Sequence, residues 1–395
     1  MHVRIVGLGP IGTRFAVESL ERGHRVTAID IDQSRLARVA ADRNDPLNRY
    51  REANAPLELA TQPSPGAGCD VTRICVGTTG ADGDFDGSSV DFALGALEPM
   101  LAKGELVAIE STVPPFSTQT RFRAILESGG RIVGEDVFLV AAPERTDVAR
   151  SRDESIPKVV GGVTPACTRR GVEIFERLVD TVVPVRSAAV AEAAKMLENA
   201  FRFVNVAFAN EFAEALAAAG LEPRDVVAAA ATKPFGFMAF WPGTGIGGDC
   251  VPLAARLYCD FAVTTQTEAA IAGAALRSDA LAPQRILRRI ERAAGGQAKR
   301  VLLLGLSYKS FARSTAWSPG ARLARFLVER GLQVDIIEPA LTRLDDGSLG
   351  TLVTAETLRQ PYDVAIVAAW NEEVGAILER KPATVVLDLS GSPHV

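Results

Sequence analysis

The chain is poor in the residues that most often move protons or hold metals. Three histidines occur among 395 residues, His2, His24 and His394. They fall near a strand start, a helix end and the C-terminus, so proton transfer is left to Lys, Asp, Glu, Cys or water. The five cysteines, Cys69, Cys75, Cys167, Cys250 and Cys259, include no CxxC pair and no histidine nearby in sequence. That argues against a zinc site and against a disulfide framework, and no metal is expected. There is no basic run, and the net charge is −5 with mixed signs, whereas nucleic-acid binding needs clustered Lys and Arg. The apolar runs, such as Val301 to Leu306, have strand length and not membrane-span length. The opening HVRIVGLG enters a strand pattern directly, with no charged region followed by a cleavable apolar one, so a cytoplasmic location is expected.

What is present suffices for several cores: 47% of the residues are hydrophobic, and two to three domains are natural at this length. The stretch from Arg186 to Gly220 has no internal proline, abundant Ala and Leu, and a glycine where a helix should stop, so one long helix is predicted. At this length it would span about 50 Å and serve two domains. Glu192, Lys195, Asn199 and Arg202 recur at spacings of three and four and form one polar stripe. A solvated face is the ordinary reading of such a stripe. Here Phe201, Val204, Phe208 and Phe212 leave little surface meant for water, so the stripe is read as facing a polar site.

The first thirty residues read as strand, glycine turn, helix, glycine stop and strand. Gly7, Leu8, Gly9, Pro10, Ile11 and Gly12 stand as GxGxxG at the strand-to-helix turn. The first glycine permits the tight turn, the second lets a pyrophosphate approach the backbone, and the third lets helix pack on strand. Taken alone the motif is weak and could be a mere tight turn. Asp30, about twenty residues on at the end of the second strand, adds the acid that reads ribose hydroxyls and favours NAD over NADP. The segment 70–79 is predicted as a strand ending in Thr78 and Thr79, which either face the cofactor or cap a turn. Further strands are expected at 106–112, 137–142 and 158–162, the last closing a doubly wound domain over 1–185.

Beyond the long helix, a short helix at 224–231 precedes KPFGFMAFWPGTGIGGDCVP, too apolar for a simple linker and of the composition that lines sites. Helices are expected over 253–294, making 186–294 a helical middle region that carries the cysteine loop. AAGGQAK at 293–299 reads as a linker. Residues 300–395 begin again as βαβ, a second and smaller doubly wound domain without a full dinucleotide fingerprint. The fold class is therefore α/β, two Rossmann-like domains joined by a long central helix and a helical region. Cys250 follows glycines, including Gly247 and Gly248, that let the backbone bring a thiol close to a ligand and leave amides free for an oxyanion. The other four cysteines are read as small buried hydrophobes. A thiol beside Lys195 would ionise more readily and could attack an aldehyde.

GLGPIG with Asp30, CVGTT (75–79), ESTVPP (110–115), APER (142–145), AEAAKMLENAFRFVNVAFANE (191–211), GTGIGGDCVP (243–252) and GLSYK (305–309) followed by Ser318-Pro319 occur in this order over nearly the whole length. In that combination the chain resembles the UDP-glucose and GDP-mannose dehydrogenase family, nucleotide-sugar dehydrogenases that use NAD to oxidise a sugar alcohol to a carboxylate. The resemblance implies two hydride transfers, through a thiohemiacetal and a thioester on Cys250. It gives Lys195 and Asn199 the tasks of assisting proton transfer and holding an oxyanion or water. Glu144 and Thr112 join the water and proton network, Glu144 and Arg145 lie toward the substrate, and Lys309 helps hold a UDP-hexose-type nucleotide sugar. It also implies a homodimer paired through the central helix.

Two positions depart from the family pattern. The aspartate expected four residues after the cysteine is Ala254. The pattern Asp-x-Arg-x-Ser-Pro reads Ser314-Thr315-Ala316-Trp317-Ser318-Pro319, so both charged members are missing. Losing a charge-assisted phosphate contact costs about 1.5 to 3 kcal/mol unless Arg313 or Arg256 replaces it. Without the aspartate, hydrolysis is expected to slow or to run through Asp249 or Glu144. The other readings are a two-electron alcohol dehydrogenase that stops at the aldehyde and a cofactor-binding homologue with impaired catalysis.

Overall fold

The computed structural model describes residues 1–395 except 65–67, 147–155, 297, 308–314, 345–346, 359–360 and 392–395. The chain divides into two compact units, Met1–Glu198 and Asn199–Val395.

The first unit is built on β1 (His2–Val6), α1 (Pro10–Glu21), β2 (Arg25–Ile29), α2 (Gln33–Ala41), α3 (Asn48–Glu52), β3 (Leu57–Ala60), β4 (Val71–Ile74), α4 (Ser88–Leu97), β5 (Leu106–Ile109), α5 (Arg123–Glu127), β6 (Phe138–Ala141), β7 (Lys158–Gly162), α6 (Pro165–Phe175) and β8 (Val182–Val185). Its sheet has the order β3-β2-β1-β4-β5-β6-β7-β8, parallel throughout except where β6 meets β7. Strands covered on both faces by helices read as continuous apolar runs, and β1, β4 and β5 are almost wholly buried. The direction of strand order reverses between β1 and β4, which opens a crevice at their C-terminal ends.

The strands are shorter than the apolar runs suggested. The run from 70 is strand only to Ile74, and that from 106 only to Ile109. Beyond these points the chain leaves the ladder and forms the loops at the crevice. Lys158–Gly162 is not the final strand of this half, because β8 adds to its outer edge in parallel. Pro184 sits within β8, as a proline can only at a sheet edge where its missing N–H is not required.

The predicted long helix is α7 (Ala188–Ala218), 31 residues and so about 46 Å, and the point where the two units divide falls within it. The second unit continues with α8 (Pro223–Ala231), α9 (Cys250–Thr264), α10 (Ala270–Ala280), α11 (Ala282–Ala293), β9 (Arg300–Leu304), α12 (Pro319–Glu329), β10 (Gln333–Ile337), β11 (Thr351–Leu352), β12 (Tyr362–Val367), α13 (Glu372–Glu379) and β13 (Ala383–Asp388). Its parallel sheet runs β11-β10-β9-β12-β13, so the doubly wound logic of the first domain is repeated on a smaller scale.

That repetition extends to side chains. Gly7 and Gly305 both end the first strand of their sheet with φ near +90°, at +93° and +85°. A Cβ on Gly305 would meet the Ala369 nitrogen at 2.7 Å. Glu338, at the end of β10, accepts hydrogen bonds from the Leu306, Ser307 and Ala340 amides. Asp30, at the end of β2, likewise accepts from the Leu8 and Asp32 amides. Glu338 is 7% exposed and is occupied by its own loop.

Candidate active site

The glycine turn after β1 fits a dinucleotide. A Cβ on Gly12 would lie 1.8 Å from the Gly7 carbonyl oxygen, so only glycine lets α1 pack this closely on the strand. A Cβ on Gly9 would meet nothing within 4 Å. The backbone there faces open space, as a pyrophosphate needs. Gly9 is also the N-cap of α1 and contributes no side-chain cap, with Pro10 at the first turn; no side chain competes for the helix amides that bind phosphate. Asp30 is half-buried. Its Oδ2 accepts from the Leu8 amide at 2.7 Å and its Oδ1 from the Asp32 amide at 2.9 Å, which leaves further lone pairs for ribose hydroxyls. Arg35 braces the turn from below, donating to the Leu8 carbonyl at 2.9 Å and to Thr13 at 3.0 Å.

On the far side of the crevice, Thr78 donates its hydroxyl to the Thr112 carbonyl at 2.7 Å, and Ser111 donates to the Val76 carbonyl at 2.6 Å. These bonds tie the loops after β4 and β5 together. Thr79 forms an isolated antiparallel bridge with Phe85. Thr78 and Thr112 therefore act as a pair that shapes the rim, a coupling their sequence positions did not disclose.

Glu144 sits in a buried charge network. Its carboxylate accepts from the Thr146 amide at 2.8 Å and from Lys158 Nζ at 3.0 Å. Lys158 also donates to Glu110, which accepts from Arg73 Nε at 2.6 Å. Burial raises the Glu144 carboxyl, but the Lys158 charge and the two donors outweigh it and hold the pKa at about 2. Arg73 lies 3.4 Å from the centre of the Phe15 ring, a cation–π contact that helps seat the buried guanidinium. Arg145 pairs with Glu198 at 2.5 Å and donates to the Pro157 carbonyl at 2.9 Å. Glu110, Arg73 and Lys158 were not singled out from sequence. The available signal was an ionisable residue opening the otherwise apolar strand Lys158–Gly162.

The polar stripe on α7 does not share one environment. Glu192 is 2% exposed and accepts from the Phe116 and Thr118 amides at 2.7 and 2.8 Å. Burial pushes its pKa up to about 7, against the pull of those donors. Lys195 and Asn199 are half-buried, and Arg202 is exposed.

In the second unit, the glycine loop is held at several points. The Gly243 amide donates to Asn210 at 2.7 Å, the Ile246 amide to Asp279 at 2.8 Å, and the Gly248 amide to the Trp317 carbonyl at 3.0 Å. Gly245 and Gly248 have φ of +135° and +87°, conformations that glycine adopts without strain. The loop delivers Cys250 to the first position of α9. Cys250 is the one exposed thiol of the five. Burial raises Cys69 to about 11, and Cys75 and Cys259 are raised for the same reason. Asn199 Nδ2 makes a long hydrogen bond, 3.5 Å, to the Cys250 carbonyl. The Cys250 thiol donates to Asp249 Oδ1 at 3.3 Å. Asp249 is the N-cap of α9 but makes no side-chain cap.

Ala254 is fully buried. Trp317 is 41% exposed and has φ of +58°. Lys309, Arg313 and Ser314 lie outside the described residues. Among the described residues no group of three or more His, Cys, Asp or Glu converges as a metal site would require, and no helix is long and apolar enough to cross a membrane.

A glycine turn shaped for a dinucleotide, on a doubly wound domain followed by a long helix and an exposed cysteine, defines an NAD-dependent dehydrogenase. Residues 1–179 match the NAD binding domain of the UDP-glucose/GDP-mannose dehydrogenase family, and residues 189–280 match its central domain. The chain belongs to this family of nucleotide-sugar dehydrogenases. It is 28% identical to an NDP-N-acetyl-D-galactosaminuronic acid dehydrogenase of Ralstonia solanacearum over 98% of this chain and 95% of that one. It is 26% identical to a UDP-N-acetyl-D-mannosamine dehydrogenase of Pyrococcus horikoshii over 95% and 91%. Among solved structures, a UDP-glucose dehydrogenase from the hyperthermophilic archaeon Pyrobaculum islandicum superposes with a TM-score of 0.84 at 25% identity, over 99% of this chain and 98% of that one.

Proposed function

We propose that this enzyme oxidises the primary alcohol of a UDP-hexose-type nucleotide sugar to the carboxylate, through a thiohemiacetal and a thioester on Cys250. Family membership supplies the reaction type, and the exposure of Cys250 at the start of α9 carries the finer reading. NAD, when bound, accepts one hydride in each oxidation. The turn from Gly7 to Gly12, including Pro10 and Ile11, takes its pyrophosphate, with Asp30 on the ribose and Thr78, Thr79 and Thr112 on the rim. Lys195 and Asn199 assist proton transfer and hold the developing oxyanion. The Gly247 and Gly248 backbone, Arg145 and Lys309 serve the substrate. Glu144, held ionised by Lys158, cannot donate a proton near neutrality, so its part is to orient a water or a sugar hydroxyl.

The functional division we propose is 1–185 for the cofactor, 186–294 for the cysteine loop and dimerisation, and 300–395 for the nucleotide sugar. The setting is cytoplasmic. The dimer is supported by exposed apolar residues on α7 and the loop that follows α8: Leu197 at 69%, Phe208 at 65%, Phe235 at 72% and Met238 at 64%. Such a surface is the kind that association covers.

The chemistry is tested with Cys250→Ser and intact-mass analysis of the wild type quenched during turnover. The expected result is an adduct on Cys250 at the acyl oxidation level, and a variant that forms no carboxylate. An unmodified Cys250, together with full carboxylate production by the serine variant, would remove the thioester. A stop at the aldehyde in the wild type would favour the two-electron reading, to which the apolar, buried Ala254 lends support.

A further inference from the structure

Thioester chemistry needs a group that takes the thiol proton as sulfur attacks carbon, and Ala254, one helical turn after Cys250, offers none. Two carboxylates were candidates for that task. Glu144 is committed to Lys158 and the Thr146 amide and is held at a pKa of about 2, so it is a weak base. Asp249 stands differently. Its carboxylate leaves the α9 amides uncapped, it is exposed, and among the described residues the donor it faces is the Cys250 thiol at 3.3 Å. The loop that leads into this contact is anchored at two points, by the Gly248 amide on the Trp317 carbonyl and the Ile246 amide on Asp279.

We propose that Asp249 is the general base for Cys250, taking over the task for which the buried position 254 holds no carboxylate. The proposal rests on the thioester reading of the reaction. As the sulfur–carbon bond forms, the aldehyde π pair moves onto oxygen and the thiol proton passes to Asp249 Oδ1, then by way of water to the new alkoxide. Hydride transfer to NAD+ and loss of the hydroxyl proton give the thioester and NADH. Water then adds to the thioester carbon, Asp249 accepts its proton, the carbon–sulfur bond breaks, and the proton returns to the departing thiolate. The sum is aldehyde, NAD+ and water going to carboxylate, NADH and two protons. General base assistance of this kind contributes about 100- to 10,000-fold.

The test pairs Asp249→Asn with two readouts on the full-length enzyme. The first is single-turnover NADH formation with a nucleotide sugar, which separates the two hydride transfers. The expected result is a first transfer within a few-fold of wild type and a second slowed by about 100-fold or more. The second readout needs no substrate: alkylation of Cys250 by iodoacetamide against pH, followed by mass of the Cys250 peptide. Removing a negative charge beside a thiol favours the thiolate, so the alkylation midpoint is expected to move to lower pH even as turnover falls. A structural role would slow both transfers together and leave the midpoint in place. Both transfers at wild-type rate, or an unmoved midpoint, would overturn the assignment. If wild type yields no NADH from any nucleotide sugar, the proposed reaction falls, and with it the base role, while the midpoint still reports whether Asp249 and Cys250 are coupled.

Discussion

Replacing Lys158 by methionine removes one of the two cations from a buried charge cluster of the first unit. Lys158 is 5% exposed and touches both Glu110, which has no side-chain exposure, and Glu144, at 12%. Glu110 would keep Arg73, whereas Glu144 would retain only the Thr146 amide. A carboxyl held at about 2 against an ordinary 4.5 corresponds to about 3 kcal/mol favouring the charged form. Breaking a buried pair from one side costs about 3 to 5 kcal/mol, so the two routes agree.

The pH dependence follows from the direction of the shift. A depressed carboxyl contributes stability above its unfolded pKa of 4.5 and loses it as pH falls through about 2. In the variant, burial raises the Glu144 carboxyl and only the Thr146 contacts still lower it, so it takes up a proton at higher pH than in wild type and the gap between the two proteins should narrow as pH falls below neutrality. Urea denaturation at pH 7 and at pH 5 measures this directly. Adding Glu144→Gln to Lys158→Met should recover part of the loss by removing the stranded charge. A single variant within about 0.5 kcal/mol of wild type at pH 7, or a gap that does not depend on pH, would mean that Lys158 does not hold Glu144 ionised.

Two other perturbations follow from the same geometry. Gly12→Val drives a side chain into the Gly7 carbonyl, 1.8 Å from the new Cβ, and should abolish NAD binding in calorimetric titration; retained affinity would contradict the fit. Glu192, raised by burial to about 7, takes up a proton on folding between pH 4.5 and 7, so it lowers stability as pH rises through that window. Glu192→Gln should flatten this decline in thermal melts, at a cost of about 1 to 3 kcal/mol for an amide left facing the Phe116 or Thr118 donor; an unchanged slope would show that another group titrates there.

Much of this architecture could be read from the chain because local and global signals agree. Continuous apolar runs, a glycine turn and an acid at the end of β2 identify the first domain. The absence of proline from 186 to 220 marked a helix that runs from Ala188 to Ala218. Three strands outside the expected set have a pattern diluted by position. β3 is half-buried along its whole length at one sheet edge. β8 carries Pro184 at the other edge. β11 is two residues long.

In the site, the residue types were legible and their partners were not. Spacing alone does not bring Lys158 to Glu144 across 14 residues, or Glu192 to the amide of Phe116 across 76. Nor does it show that Glu144 is already held by Lys158 and the Thr146 amide while Asp249 faces the Cys250 thiol, a property of packing.

The proposed four-electron oxidation at Cys250 is tested by counting NADH per substrate consumed over a panel of nucleotide sugars. Two NADH for each nucleotide sugar, with the carboxylate as product and the count lost in Cys250→Ser, is the predicted result. One NADH per substrate with the aldehyde accumulating would contradict it.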